Sequence, residues 1–210
     1  MTTSESQTDV IRTVLFDFGG VLAEEGFRDG LKVIARRRGL EPEAFYKLGA
    51  EAVYDSGYVT GEGDEGDFWN LMCRKSDLER YEEWFTREIL QRFVLRPRML
   101  ALASELRRQG LVVAVLSDQT DWLDKLDARD HFFRQFDRVF NSYHIGRGKR
   151  DPGLFDEVVQ TLKAKPNEIL FVDDNIGHVE RARSRGLKAL LFLDEESFFS
   201  DLPASLPLSG

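Results

Sequence analysis

Short apolar runs alternate with longer amphipathic stretches along most of this chain. Five runs predict buried strands, because they are rich in β-branched and aromatic residues and end in glycine or polar turn residues. They are TVLFDF at 13–18, LVVAVLSD at 111–118, RVFNSY at 138–143, EILFVDD at 168–174 and LKALLF at 187–192. Between the later runs, RPRMLALASELRRQG, WLDKLDARDHF, GLFDEVVQTLKAK and NIGHVERARSRG carry apolar residues at helical spacing. Strands alternating with helices of this length predict an α/β fold whose parallel strands are joined by right-handed crossovers.

Residues 24–95 break the alternation and read mainly as helix. DGLKVIARRRGL places Leu31, Ile34 and Ala35 on one face with basic residues opposite, and Gly39 is a stop signal. EPEAFYKLGAEAVY opens with a proline suited to a first helical turn. SDLERYEEWFTREILQRF predicts a helix capped by Ser76, with Leu78, Tyr81, Trp84, Phe85 and Leu90 on one face. GYVTGEGDEGD reads as a polar turn. The predicted organisation is a core of residues 8–23 and 96–200, a helical insertion at 24–95, and tails at 1–7 and 201–210, the last of them fraying or lying on the surface.

Composition narrows the class. The 210 residues carry a net charge of -8, with 42% hydrophobic and 31% charged residues, which is an ordinary globular balance. An acidic chain argues against a general nucleic-acid or anionic-membrane surface. The longest apolar run, LVVAVL, is too short to span a bilayer. The polar, acidic start MTTSESQTDV has no apolar core of a signal peptide, so a cytoplasmic location is expected. A single cysteine, Cys73, excludes a disulfide within the chain and reads as an inert buried thiol.

The candidate chemistry lies at strand ends. The first run delivers Asp17 into Gly19 and Gly20, the second ends in Ser117 and Asp118, and the fourth ends in Asp173 and Asp174. Lys149 sits in the turn after the third run. Parallel strands place all their carboxyl ends on one edge, where ligands of open α/β sheets bind. Three carboxylates at one edge repel each other unless a cation sits among them, and oxygen-only ligands suit Mg2+. An aspartate beside a phosphoryl group can attack phosphorus. Ser117 and the backbone N–H groups around Phe18 and Gly19 can donate to phosphoryl oxygens. Singly, each residue has an ordinary reading: Asp173 and Asp174 as an N-cap pair, Lys149 as a solvated loop lysine, Ser117 as a turn residue. Their conjunction in order after the right strands reverses those readings.

FDFGGVL, VLSDQT, GRGKRDPGLF and FVDDNIGHVERARSRGLKALLF together resemble the haloacid dehalogenase-like hydrolase superfamily, in the family's order and over most of residues 12–193. The resemblance implies a Rossmann-like three-layer sandwich with a mainly parallel sheet and an inserted helical cap that closes over small substrates. It implies Asp17 as nucleophile and metal ligand, the carbonyl of Gly19 and the carboxylate of Asp173 as further ligands, and Asp174 acting through water or orienting Lys149. Ser117 and Lys149 would hold the phosphoryl group, with Phe18, Gly19 and Asp118 beside it. Three positions depart from the family's pattern. Gly19 stands where phosphatase members usually carry an acid/base aspartate, Asp118 where a small polar residue is usual, and His178 where Asn or Asp is usual. Some members similar to sugar-phosphate phosphatases also carry glycine at the first position.

The expected function is therefore a Mg2+-dependent phosphatase acting on a small phosphorylated metabolite through an aspartyl-phosphate. A general acid is typically worth about 10²–10⁴ in rate, so Gly19 predicts slow turnover and a preference for activated phosphates. A metal-independent dehalogenase and a catalytically weak phosphate-binding module of the same fold are the alternatives. Gly61, Gly63 and Gly66 fit a dinucleotide-loop spacing, but no strand precedes them and acids surround them. His131, His144 and His178 have no metal-ligand spacing and read as structural or surface residues. The substrate and the oligomeric state are not specified by the sequence.

Overall fold

The computed structural model describes residues 10–202 and residue 206. Five parallel strands form one sheet: β1 (Thr13–Phe16), β2 (Val112–Ser117), β3 (Arg138–Asn141), β4 (Ile169–Asp173) and β5 (Lys188–Leu191). Their order is β3-β2-β1-β4-β5, so β1 is central and buried along its whole length. Its side chains alternate faces, as strand geometry requires. Val14 and Phe16 join one core cluster and Leu15 joins the other.

Each cluster is closed by helices. On one face α5 (Pro97–Arg108) buries Met99, Leu102, Ala103 and Leu106, and α6 (Trp122–Asp130) buries Trp122, Leu123 and Leu126. On the other, α8 (Gly153–Leu162) buries Leu154, Phe155 and Val158, and α9 (Ile176–Ser184) buries Val179 and Ala182. Helices on both faces of a parallel sheet make the predicted three-layer α/β sandwich of Rossmann type.

Between β1 and α5 lie α1 (Gly26–Arg37), α2 (Pro42–Asp55), α3 (Glu65–Lys75) and α4 (Trp84–Leu90). Proline opens α2 as expected, and Gly39 follows α1 with a φ of +71°. The sequence reading needs correction in this segment. Ser76 ends α3 instead of capping a new helix: its N–H and its hydroxyl both donate to the Met72 carbonyl, at 3.1 and 2.7 Å. Residues 77–83 are not helical, and α4 is only 7 residues long. The apolar spacing still reports burial, because Leu78 is buried and Tyr81 stacks on Trp69 at 5.3 Å. Tertiary packing overrides the local helical preference there. The polar turn at 57–67 also contains buried Tyr58 and Val59, and its end opens α3 through a reciprocal cap between Asp64 and Asp67.

The third strand stops at Asn141, whose side chain accepts from the Tyr143 N–H and starts the short helix α7 (Ser142–Ile145). Glu195–Asp201 form α10 and Leu206 is buried, while the rest of the expected tails, residues 1–7, 203–205 and 207–210, lies outside the described residues. Cys73 is half-buried, not enclosed, and burial still pushes its thiol pKa up. Among the described residues no helix is long and apolar enough to cross a membrane.

Candidate active site

The register of the sheet sets Phe16 beside Val115 of β2 and Val172 of β4. The next residue, Asp17, continues that pairing, and its N–H donates to the Val172 carbonyl at 2.9 Å. Asp17 and Asp173 therefore leave adjacent strands at one edge. Between them lies Lys149, 1% exposed, whose Nζ donates to Asp173 Oδ2 at 2.6 Å and sits 2.9 Å from Asp17 Oδ1. Its loop is pinned because the Lys149 N–H donates to Asp118 Oδ1 at 2.7 Å.

Oxygens of Asp17, Asp173 and Asp174 lie within 4.8 Å of one another. Gly20 permits this approach. Its φ is +82°, and a Cβ there would meet Asp174 Oδ2 at 2.2 Å. The cluster carries more negative charge than one ammonium neutralises. Burial, reinforced by Asp173, pushes Asp17 up to about 6 against the pull of Lys149. Partial desolvation and the charges of Asp17, Glu25 and Asp173 push the more exposed Asp174 up to about 7. Asp173 is also desolvated, but Lys149 and His178 outweigh burial and hold it at about 2. The same two buried aspartates raise Lys149, overcoming its desolvation, so it stays an ammonium. Crowded carboxylate oxygens that protonate for want of a counter-charge fit a hard cation, and Asp17, Asp173 and Asp174 are the side chains placed to hold one.

These groups open into a cavity of about 200 Å³. Gly19, Ser117 and Asp118 also line it, as the sequence pattern expects. Ser117 ends β2 and is 2% exposed. Phe18 differs from expectation. Its ring is buried in the core against Phe132 at 4.9 Å, and its N–H donates to Asp17 Oδ1 at 2.7 Å. It therefore orients the carboxylate instead of offering a free donor. Asp118 has both oxygens engaged, one by Lys149 and the other by the Tyr54 hydroxyl of α2. Asp174 makes no hydrogen bond to Lys149 among the described residues; Asp17 and Asp173 orient that lysine instead.

Other residues at the cavity were not legible as site groups. His178 stands at the start of α9, with Nδ1 3.2 Å from Asp173 Oδ1, so the surface reading of this histidine is corrected. Its sequence signal was its place in the acidic motif, five positions after Asp173, where the resemblance leads one to expect Asn or Asp. His144 is exposed and pairs with Asp124. Glu25, Tyr54 and Arg150 also line the cavity. The Arg150 guanidinium lies 3.6 Å over the Tyr54 ring and pairs with Glu51, tying α2 to the lysine loop. A second tie is Ser142, whose hydroxyl donates to the Val59 carbonyl at 2.7 Å and accepts from the Gln119 N–H at 3.1 Å.

Known proteins share this framework. The chain is 32% identical over 127 residues to bifunctional epoxide hydrolase 2 of Rattus norvegicus, covering 57% of this chain and 22% of that protein. The Sus scrofa counterpart is 27% identical over 214 residues, covering 91% of this chain and 38% of that protein. The chain thus spans well under half the length of these curated relatives. Among solved structures, the HAD family enzyme BT-2542 of Bacteroides thetaiotaomicron superposes with a TM-score of 0.72 at 20% identity, covering 90% of this chain and 98% of that one. That enzyme is also known as a complex with magnesium and inorganic phosphate. The L-2-haloacid dehalogenase of Xanthobacter autotrophicus, with chloropropionic acid covalently bound, superposes with a TM-score of 0.64 at 21% identity over 93% of this chain and 86% of that one. The family model for haloacid dehalogenase-like hydrolases matches residues 11–184, and this chain belongs to that family of hydrolases.

Proposed function

We propose that this hydrolase is a phosphatase that acts on a small phosphorylated metabolite with Mg2+ and passes through an aspartyl-phosphate. The observation that carries the reading is the surplus of carboxylates around one buried ammonium, Asp17–Lys149–Asp173 with Asp174 beside them. The magnesium–phosphate complex of the BT-2542 relative supports the same ligand pair.

Mg2+ held by Asp17, Asp173, Asp174 and the Gly19 carbonyl would neutralise charge on the phosphoryl oxygens. The Phe18 N–H holds one oxygen of Asp17, so the other is directed for attack on phosphorus. Lys149 offsets charge on the phosphoryl group, and Ser117, at the end of β2, donates to one of its oxygens. Residues 24–95 serve as the cap over the core of residues 8–23 and 96–200. Val53 and Tyr54 of α2 already line the cavity, so this segment sets the substrate. A cytoplasmic setting fits the single cysteine. The rate penalty assigned to Gly19 holds only if no other acid reaches the leaving oxygen.

Phosphate release from a panel of phosphorylated metabolites, with Mg2+ and with chelator, tests the reading. Activity should require Mg2+, and Asp17→Asn should lower kcat by roughly 10⁴ or more while the protein stays folded. Turnover of a haloacid that survives chelation, with no phosphate released from any substrate, would favour attack by Asp17 on carbon instead.

A further inference from the structure

Gly19 leaves the site without the acid that phosphatases of its family usually carry at that position. A Cβ built on Gly19 would lie 3.8 Å from both carboxylate oxygens of Glu25, with Phe93 Cε1 at 3.3 Å. The space a side chain at 19 would enter is thus bordered by the carboxylate of another residue, six positions along the chain.

The local chain aims that carboxylate inward. Glu24 turns outward and pairs with Arg96 at 3.0 Å. Gly26 follows, where a Cβ would lie 2.6 Å from the Phe93 ring, so the start of α1 is pressed against Phe93 and Glu25 faces the cavity. The other carboxylates there are already bound. Asp118 holds Lys149 and Tyr54, while Asp173 holds Lys149, the Asn175 N–H and His178. Asp17 and Asp174 belong to the cation cluster. Among the described residues, the one hydrogen bond of the Glu25 carboxylate is long, accepted from the Arg28 N–H at 3.4 Å.

We propose that Glu25 is the general acid and base of this enzyme, supplying from the N-cap of α1 the group that Gly19 lacks. The proposal rests on the phosphatase reading. In the first step Asp17 attacks phosphorus, the bond from phosphorus to the leaving oxygen breaks, and that oxygen takes the electron pair and the proton of Glu25, leaving as an alcohol. In the second step the Glu25 carboxylate takes a proton from water as the water oxygen attacks phosphorus. The bond to Asp17 breaks, its electron pair returns to the carboxylate, and inorganic phosphate leaves with Glu25 protonated again.

The test compares p-nitrophenyl phosphate, whose leaving group needs no proton, with glycerol phosphate, whose leaving group does. Glu25→Gln should slow glycerol phosphate turnover by about 10²–10⁴. With p-nitrophenyl phosphate it should still release a burst of nitrophenolate stoichiometric with enzyme, then stall, and acid quench should trap a phosphorylated Asp17 visible by mass spectrometry. Gly19→Asp added to Glu25→Gln should restore glycerol phosphate turnover, while Gly19→Asp alone should gain little. Wild-type rates in Glu25→Gln, or an equal loss on both substrates with no trapped phosphoenzyme, overturn the role of Glu25 and leave the phosphatase reading standing. The same leaving-group-selective loss in His178→Asn but not in Glu25→Gln assigns the proton to His178. A wild-type protein that with Mg2+ releases phosphate from neither of these nor from any member of the metabolite panel overturns both.

Discussion

Two regions of this molecule set lysine beside half-buried or buried carboxylate, with opposite results. At the sheet edge, Asp17, Asp173 and Asp174 crowd around Lys149, and two of the three acids are pushed well above the ordinary aspartate range. Where α3 meets α6, Glu65 gathers four donors, Tyr81 and Thr86 on one oxygen, Trp122 and Lys125 on the other, at 2.5–3.1 Å, with Lys125 shared with Asp121. Desolvation acts on Glu65 too, but the donors outweigh it and lower its pKa. The difference is one of stoichiometry. One acid with four donors is satisfied and fastens the helical insertion to the core. Three acids sharing one ammonium are short of positive charge, and that deficit is what a cation and a phosphoryl group held by it would meet.

Removing one partner in each region breaks the comparison most strongly at the edge. Lys149→Met should abolish turnover and, in metal-free protein, cost about 3–5 kcal/mol by urea denaturation, because it strips the counter-charge from buried carboxylates. Mg2+ should recover part of that loss. A smaller effect is expected at the fastener. Glu65→Ala leaves the Trp122 N–H and the Thr86 hydroxyl without their acceptor and should cost about 1–3 kcal/mol. Since Glu65 lies outside the cavity, kcat of the folded fraction should hardly change, and a large fall would break the distinction between the two regions. The smallest effect is a pH slope. Asp17 and Asp174 bind protons more tightly folded than unfolded, so between about pH 4 and 7 the native state carries the extra protons. Stability of metal-free protein should therefore fall as pH rises through that window, by on the order of a few degrees in Tm. Saturating Mg2+ should flatten the slope at its upper end, and a slope of the opposite sign would contradict the charge deficit.

Much of this was readable from residues alone. Buried parallel strands are continuous apolar runs, so β1, β2 and β4 announce themselves, and a polar residue that ends such a run must sit at the sheet edge. That logic located Asp17, Ser117 and Asp173 without any coordinates. It failed where burial comes from contacts distant in sequence. Residues 77–83 carry a helical spacing but are held by Trp69 and its neighbours, and the Asn141 cap turns the end of the third run into helix. Asp118 lines the cavity, yet its oxygens bind Lys149 and Tyr54, and Phe18 lies in the core with its N–H on Asp17.

The order of strand-ending acids, serine and lysine along the chain determined the fold class and the chemical edge, because strand polarity converts linear order into position with no further information. Glu25, Tyr54 and Arg150 carry no such signal, and His178 carries only that of its motif position. They reach the cavity through the angle of α1 against Phe93, the first turn of α9 and the stacking of one side chain on another. Those are distances between elements far apart in sequence, and only the packed tertiary structure sets them.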